Sequence, residues 1–427
     1  MEKSNERYQA YIQILKEELV LAMGCTEPIA LAYAAAKCRE VLGDIPCQAV
    51  VEASGSIIKN VKSVIVPNTG HLKGIQAATA AGIIAGDASR ELEVISQVSQ
   101  EKQKEIGDYL KTADIEVKFL DSGLTFDIIV TETAESGDKA AVRIANYHTN
   151  IVHIEKNGQV LLEIPVEGEE ETGLTDRGLL DMHDIWDFAV TCDVEDVKEI
   201  LRQQIDCNMA IAEEGMRADY GANIGSVMLD AYGDSIENRA IAKAAAGSDA
   251  RMYGCEMPVV INSGSGNQGI TCSVPVIEYA RDTKTDEESL LRALALSNLI
   301  AIHQKTGIGR LSAFCGAVCA GVAAGAGIAY LKGGGEKEIF HTVVNGLAIV
   351  SGIVCDGAKP SCAAKIAMSV RAGLLGYDMY IRGQQFYGGD GIVTKGADET
   401  IENIGRLGRE GMRETNEEII KIMIGKM

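Results

Sequence analysis

Three cysteines stand where their thiols could converge on one centre. Cys315 lies in AFCGAVC, while Cys355 and Cys362 bracket the short loop Asp356-Gly357-Ala358-Lys359-Pro360-Ser361. The gap from the first to the second is long and the next is short. That pattern is neither the paired C-x-x-C knuckles of a zinc ribbon nor a ferredoxin run. Gly357 and Pro360 can bend the loop so that two thiols face one point, and Lys359 between them favours thiolates. Spacing alone leaves a structural reading open, in which three small buried cysteines fall in Gly/Ala-rich helices. A second segment, Ser263-Gly264-Ser265-Gly266-Asn267-Gln268-Gly269, formally fits G-x-G-x-x-G. As a dinucleotide fingerprint it is weak, because Pro275 should interrupt the following helix and no convincing βαβ unit surrounds it. A tight loop whose N–H groups and Ser/Asn side chains hold a carboxylate fits better, and a purely structural loop accounts for the same residues.

Helices must position these groups. Tyr8, Ile12, Leu15, Leu19 and Leu21 recur at near-helical spacing, which predicts an amphipathic helix over 5–23, ended by Gly24. A second helix starts at Thr26, with Glu27 and Pro28 in its first turn, leaving Cys25 in the joint. Residues 47–66 alternate loosely and end at the turn Pro67-Asn68-Thr69-Gly70, a strand signal. A helical pair is expected over 72–85 and 88–111. From 114 to 165 the pattern is strand-like, and it reads as an antiparallel sheet. The charged, Gly-bearing stretch 166–180 is the expected linker. Beyond it come Ala-, Gly- and Leu-rich helices to about 380, a Gly-rich loop and a charged terminal helix. The expected class is α+β. It comprises a mainly helical domain from 1–44 with 171–427 and a smaller α/β domain, 45–170, carrying the antiparallel sheet.

Composition narrows the function. Lys and Arg total 40 against 61 Asp and Glu, a net charge of −21, which repels phosphate backbones and anionic lipid. Aromatic residues are 5% of the chain, with one Trp, so stacking platforms for bases are scarce. Neither nucleic acid nor membrane is an expected partner. Leu311–Leu331 carries no charge and is long enough to span a bilayer, but its Gly/Ala content fits a buried central helix. The 11 cysteines accompany a start with no secretory pattern, so a reducing cytoplasm is expected. Most of the thiols, among them Cys38, Cys47, Cys192, Cys207 and Cys255, need no special role.

GCTEP at 24–28, SGSGNQG at 263–269, FCGAVCAG at 314–321 and CDGAKPSCAAK at 355–365 resemble the L-cysteine desulfidase family. That family belongs to a wider group with the alpha domain of iron–sulfur serine dehydratases. The motifs stand in order over most of the chain. The resemblance implies that Cys315, Cys355 and Cys362 hold a [4Fe–4S] cluster in the helical domain and that Cys25 is the catalytic base. Three ligands on four irons leave one iron open as a Lewis acid. A thiol at a helix N-terminus should have a lowered pKa, with Glu27 opposing it. The implied reaction releases sulfide from L-cysteine, giving pyruvate and ammonia. The alternatives are an L-serine (or threonine) dehydratase using the same cluster and, from another class, a non-catalytic iron–sulfur sensor. Substrate-pocket candidates are Ser263, Gly264, Ser265 and Asn267, with Ser54, Lys59, Asn68 and His148 in segments resembling the family's pocket. Asn68 is equally explained as a turn residue, His148 as a hydrogen-bonded strand-end side chain and Arg310 as half of a salt bridge. Cys272 matches no ligand position. The expected partners are a small amino acid and further copies of the chain, as a homo-oligomer.

Overall fold

The computed structural model describes residues 1–166, 168 and 174–424. Residues 167 and 169–173, part of the expected linker, lie outside the described residues. The protein is α+β and mainly helical. Its first half runs α1 (Glu6–Glu18), β1 (Leu21–Met23), α2 (Thr26–Leu42), β2 (Gln48–Ala53), α3 (Gly55–Val61), α4 (Gly74–Ala85), α5 (Gln100–Thr112), β3 (Asp114–Phe119), β4 (Asp127–Thr133), β5 (Lys139–Ala145), β6 (Ile151–Lys156) and β7 (Gln159–Glu163). The second half runs α6 (Met182–Thr191), α7 (Glu195–Arg217), α8 (Ile224–Tyr232), α9 (Ile236–Met252), β8 (Pro258–Val260), α10 (Gly266–Thr283), α11 (Glu287–Ile308), α12 (Gly316–Leu331), α13 (Glu336–Val350), α14 (Ser361–Ile381), α15 (Ala397–Arg406) and α16 (Arg413–Ile424).

Six strands form one sheet in the order β3-β2-β4-β5-β6-β7. It is mixed rather than wholly antiparallel, because β2 and β3 pair parallel with Gln48 opposite Asp114. A helical crossover through α3, α4 and α5 returns the chain in the same direction, as a parallel pair requires. The helix α2, almost entirely buried, lies between α4 and strands β4 and β5.

Several boundaries differ from the sequence reading. The first helix stops at Glu18, and residues 21–23 instead form β1, paired antiparallel with β8. Pairing with a distant strand overrides the local helical pattern here. The expected strand 47–66 is half strand, half helix: Ile57 and Val61 face the core at helical spacing in α3. Residues 88–111 divide into a 3-10 turn, Ala88–Glu93, and α5, which Ser99 caps by accepting the Lys102 N–H. Pro275 does not interrupt α10, which runs through it. Proline in a helix interior removes one ladder hydrogen bond, and the packed core holds the helix together across the gap.

The uncharged stretch forms the buried helix α12, and among the described residues no helix is long and apolar enough to cross a membrane. Glycines set its packing on α14. A Cβ on Gly325 would stand 2.5 Å from the Gly373 carbonyl carbon, so the backbones touch only because both residues lack side chains. Cys315 precedes α12 and Cys362 opens α14, so this contact also fixes the spacing of two candidate ligands.

Gly325→Val should therefore cost about 1–3 kcal/mol through overpacking, read as a lowered Tm by scanning calorimetry. A second expectation concerns Glu132 in β4. It is fully buried, it has no ion-pair partner among the described residues, and burial pushes its carboxyl well above the usual range. A raised folded pKa means that the folded state holds a proton the unfolded chain gives up. The native protein should therefore lose stability as pH climbs above about 4.3, the ordinary Glu value. Glu132→Gln should flatten that slope and raise Tm at pH 7, and a variant less stable than the parent at pH 7 would contradict this.

Candidate active site

Two short backbone pairings assemble the site. Phe314 and Val354 form an isolated antiparallel bridge, in which the Cys315 N–H donates to the Ile353 carbonyl (3.1 Å) and the Cys355 N–H to the Ala313 carbonyl (2.7 Å). These bonds set Cys315 and Cys355 side by side despite the long sequence gap. The β1–β8 pairing does the same for the other half. It leads on one strand into Gly24-Cys25 and on the other into the 262–269 loop, with the Thr26 hydroxyl donating to the Gly264 carbonyl (2.8 Å).

The loop after Cys355 returns its chain to the same point. Gly357 takes φ +96°, and a Cβ there would stand 2.4 Å from the Lys59 carbonyl oxygen, so only glycine allows this approach to α3. Asp356 pairs with both Lys359 and Lys365. Lys359 is thus engaged with a carboxylate, while its charge still favours the Cys362 thiolate, although burial raises that thiol overall. The Cys362 N–H donates to the Lys359 carbonyl (2.9 Å) in the first turn of α14.

Cys25, Cys315, Cys355 and Cys362 all line one cavity of about 100 Å³, together with Glu27, Asn60, Arg251, Ser265, Asn267, Gln268, Lys305 and Arg310. All four are free thiols. Among the described residues no three His, Cys, Asp or Glu side chains are gathered as ligands of a single ion. Thiolates bound to different irons of a cluster need not converge on one ion, so the donor set fits a multi-iron group.

The surroundings favour anions. Cys25 is the N-cap of α2, Ser265 of α10 and Cys315 of α12, while Cys362 lies in the first turn of α14. Four helix N-termini therefore bring the positive ends of their dipoles to one space. Two buried lysines stand beside the trio. Lys59 donates to Asn416 Oδ1 (2.7 Å) and approaches the Cys355 carbonyl (3.4 Å), and burial pushes its ammonium down. Lys305, also lowered by burial, lies near Cys319, Cys355 and Cys315. Cys315 and Cys355 share a hydrogen bond: it and burial push Cys315 up, while it and Lys59 hold Cys355 well below a thiol's usual range.

Cys25 departs from expectation. Burial pushes its thiol up to about 12, outweighing Arg251, and Glu27 adds to the rise. The helix N-terminus does not make it a resting thiolate, because desolvation costs the anion more than one helix end returns. Glu27 lines the cavity, and its carboxylate accepts from Asn60 Nδ2 (2.8 Å).

The remaining candidates divide. Ser265 and Asn267 line the cysteine cavity, and Ser263 lines a larger one beside it. Gly264, at φ +76°, packs against His148 and Arg310. His148 lies behind that loop against Phe126, held to about 4 by burial, and lines neither cavity. Ser54 donates to the Thr125 carbonyl (2.7 Å) and Asn68 to the Ile95 carbonyl (2.8 Å), and neither lines either of these two cavities. Their hydrogen bonds tie together segments distant in the chain. Arg310 pairs with Glu18 (3.1 Å), as a salt bridge. Cys272 is buried against Asn298 and lies outside the cavity.

Arg251 and Lys305 were not singled out from the sequence. Each occupies the last turn of a helix, where a basic residue is ordinarily explained by the helix dipole. Only the folded chain shows that both also line the cavity.

Comparison with known proteins gives a consistent result. Residues 89–421 match the family described as serine dehydratase alpha chain. The chain is 61% identical to a UPF0597 protein of Desulfitobacterium hafniense, over 100% of this chain and 99% of that one. It is 51% identical to a UPF0597 protein of Lachnoclostridium phytofermentans over 98% of this chain and 100% of that one. The corresponding protein of Treponema denticola is 46% identical over 99% and 100%.

The burial of Cys25 has a direct readout. Iodoacetamide at pH 8 should alkylate the exposed Cys47 readily and leave Cys25 unmodified until the protein unfolds. Peptide mass spectrometry that finds Cys25 labelled as fast as Cys47 would contradict this geometry.

Proposed function

Because the chain belongs to the serine dehydratase alpha-chain family, we propose that it is an iron–sulfur-dependent lyase that eliminates sulfide from L-cysteine, yielding pyruvate, ammonia and hydrogen sulfide. The observation that carries this reading is the meeting of four free thiols, from three distant segments, on one small cavity ringed by helix N-termini. A reduced trio with a fourth thiol in the same cavity suits a site-differentiated [4Fe–4S] cluster better than a packing role.

In this reading Cys315, Cys355 and Cys362 hold the cluster and Cys25 acts on the substrate. The cluster supplies an iron without a protein thiolate, a Lewis acid toward the departing β-substituent. The protein's own residues do the rest. Lys59 and Lys305 place positive charge beside the three thiolates, where low dielectric makes it effective. The wall of buried side chains keeps bulk water from the reacting carbon. Cys25 takes the α-proton onto Sγ. A thiol at about 12 is seldom ionised at neutral pH, yet its thiolate is strongly basic, and a weakly acidic α-proton calls for such a base. Loss of that proton and of the β-sulfhydryl leaves aminoacrylate, which hydrolyses to pyruvate and ammonia.

The family description favours a second substrate, L-serine, whose β-hydroxyl would leave by the same route. The test is anaerobic reconstitution with iron and sulfide, with parallel assays of pyruvate from L-cysteine and L-serine and of sulfide from L-cysteine. We expect a brown protein with about four irons per chain and turnover of L-cysteine. Cys25→Ser should keep the chromophore and lose at least about 10²-fold in kcat, whereas Cys355→Ser should lose iron. Faster turnover of L-serine would assign the dehydratase instead. A loaded cluster with no turnover of either would identify a sensor.

A further inference from the structure

The cavity wall carries a guanidinium and a carboxylate that, among the described residues, each form no ion pair. The wall's other guanidinium, Arg310, is paired with Glu18. Arg251 is 3% exposed, and among the described residues its side chain makes one hydrogen bond, from Nη1 to Asn267 Oδ1 (3.2 Å). Its buried Nε has no hydrogen-bond partner among the described residues. Among the described residues, neither Arg251 nor Glu27 belongs to an ion pair. A guanidinium cannot shed its proton when buried, so it must find an anion or remain uncompensated. The chain also makes room for it. A Cβ on Gly266 would stand 2.3 Å from Arg251 Nε and 2.7 Å from Cζ, so any larger residue would displace the guanidinium.

Glu27 is the complementary pole. Asn60 donates to its carboxylate at the cavity wall, and among the described residues no cation forms an ion pair with it. Cys25 stands two residues before it, at the head of the same helix. The cavity thus offers a fixed cation and a fixed anion with the proposed base beside them.

We propose that Arg251 and Glu27 form a two-pole receptor for a free α-amino acid zwitterion, Arg251 taking the α-carboxylate and Glu27 the α-ammonium. The fate of the bound amino acid rests on the lyase reading, whereas the binding itself does not. The geometry selects small amino acids with both termini free. A peptide or amide leaves the guanidinium unmatched, and a hydroxy acid without an amine leaves the carboxylate unmatched. Sites built around buried charged groups reject a ligand lacking the partner more strongly than sites that read shape alone.

The test uses the anaerobically reconstituted full chain and variants Arg251→Gln, Arg251→Lys and Glu27→Gln, with iron content checked for each. Probes are L-serine, L-serinamide and 3-hydroxypropionate, read by calorimetric binding and, where turnover occurs, by KM against kcat. The parent should bind L-serine about 10²-fold tighter than either analogue. Arg251→Gln should weaken L-serine and erase the preference over the amide while leaving the preference over the hydroxy acid. Glu27→Gln should do the reverse. Arg251→Lys keeps charge without the fork and should recover part of the acid preference, which a merely structural role would not give. Gly266→Ala, which keeps both charged groups, should mimic Arg251→Gln. If Arg251→Gln weakens acid and amide alike, or the parent binds none of the probes, the receptor is overturned. Binding with the expected preferences but no turnover would overturn the lyase reading and leave the receptor standing.

Discussion

The bridge between Phe314 and Val354 is the contact on which the site depends. Two backbone hydrogen bonds, one on each side of that bridge, fix Cys315 and Cys355 relative to each other. Backbone pairing specifies position to within a residue, because a slip of one would turn both thiols away from the cavity. Everything else in the trio is referred to this contact. The glycine-lined seam between α12 and α14 sets where Cys362 lies, and the Gly357 turn closes the loop between them. The β1–β8 pairing repeats the device for Cys25 and the 262–269 loop. A mainly helical protein thus uses a few residues of extended chain at the points where registration matters most.

Charge is the second constraint. The cavity is buried, and burial alone opposes thiolates, lysine ammonium groups and carboxylates alike. The fold answers with distributed positive potential: four helix N-termini, Lys59 and Lys305 beside the sulfurs, and Arg251 on the cavity wall. Helix ends suit this purpose because they carry partial charge without a titratable proton. The lysines pay for their position with a lowered pKa. Among the described residues Glu27 supplies the one carboxylate of the cavity wall, and Asn60 donates to it.

How far the sequence disclosed this differs between parts. The cysteines were legible because residue type and chain order distinguish them, and all four face one cavity. The mainly helical α+β class and the buried α12 were legible because apolar and Gly/Ala periodicity reports burial directly. Three things were hidden. The strand β1 was hidden because its partner lies more than half the chain away, and local pattern cannot see a distant strand. Parallel pairing of β2 with β3 was hidden because alternation reads the same in either direction. Arg251 and Lys305 were hidden because a basic residue in a last helical turn already has an ordinary explanation. Ser54 and Asn68 are instead engaged with carbonyls of distant segments, which their position beside a motif does not disclose.

The raised thiol of Cys25 brings these threads together. A helix N-terminus lowers a thiol's pKa when solvent still reaches the sulfur, which is the case that sequence position alone suggests. Here Sγ is enclosed, with Met252 Sδ at 4.0 Å, and the proton stays on. The same enclosure strengthens every charge that does enter, because attraction and repulsion both grow as water leaves. A ligand that brings a carboxylate to Arg251 removes a positive influence from Cys25, while one that brings an ammonium to Glu27 removes a negative one. A zwitterion does both and leaves the sulfur's balance nearly unchanged, whereas a half-charged analogue tips it. In the proposed receptor, the charges of Arg251 and Glu27 that act on the Cys25 thiol are the same ones that a zwitterion would engage.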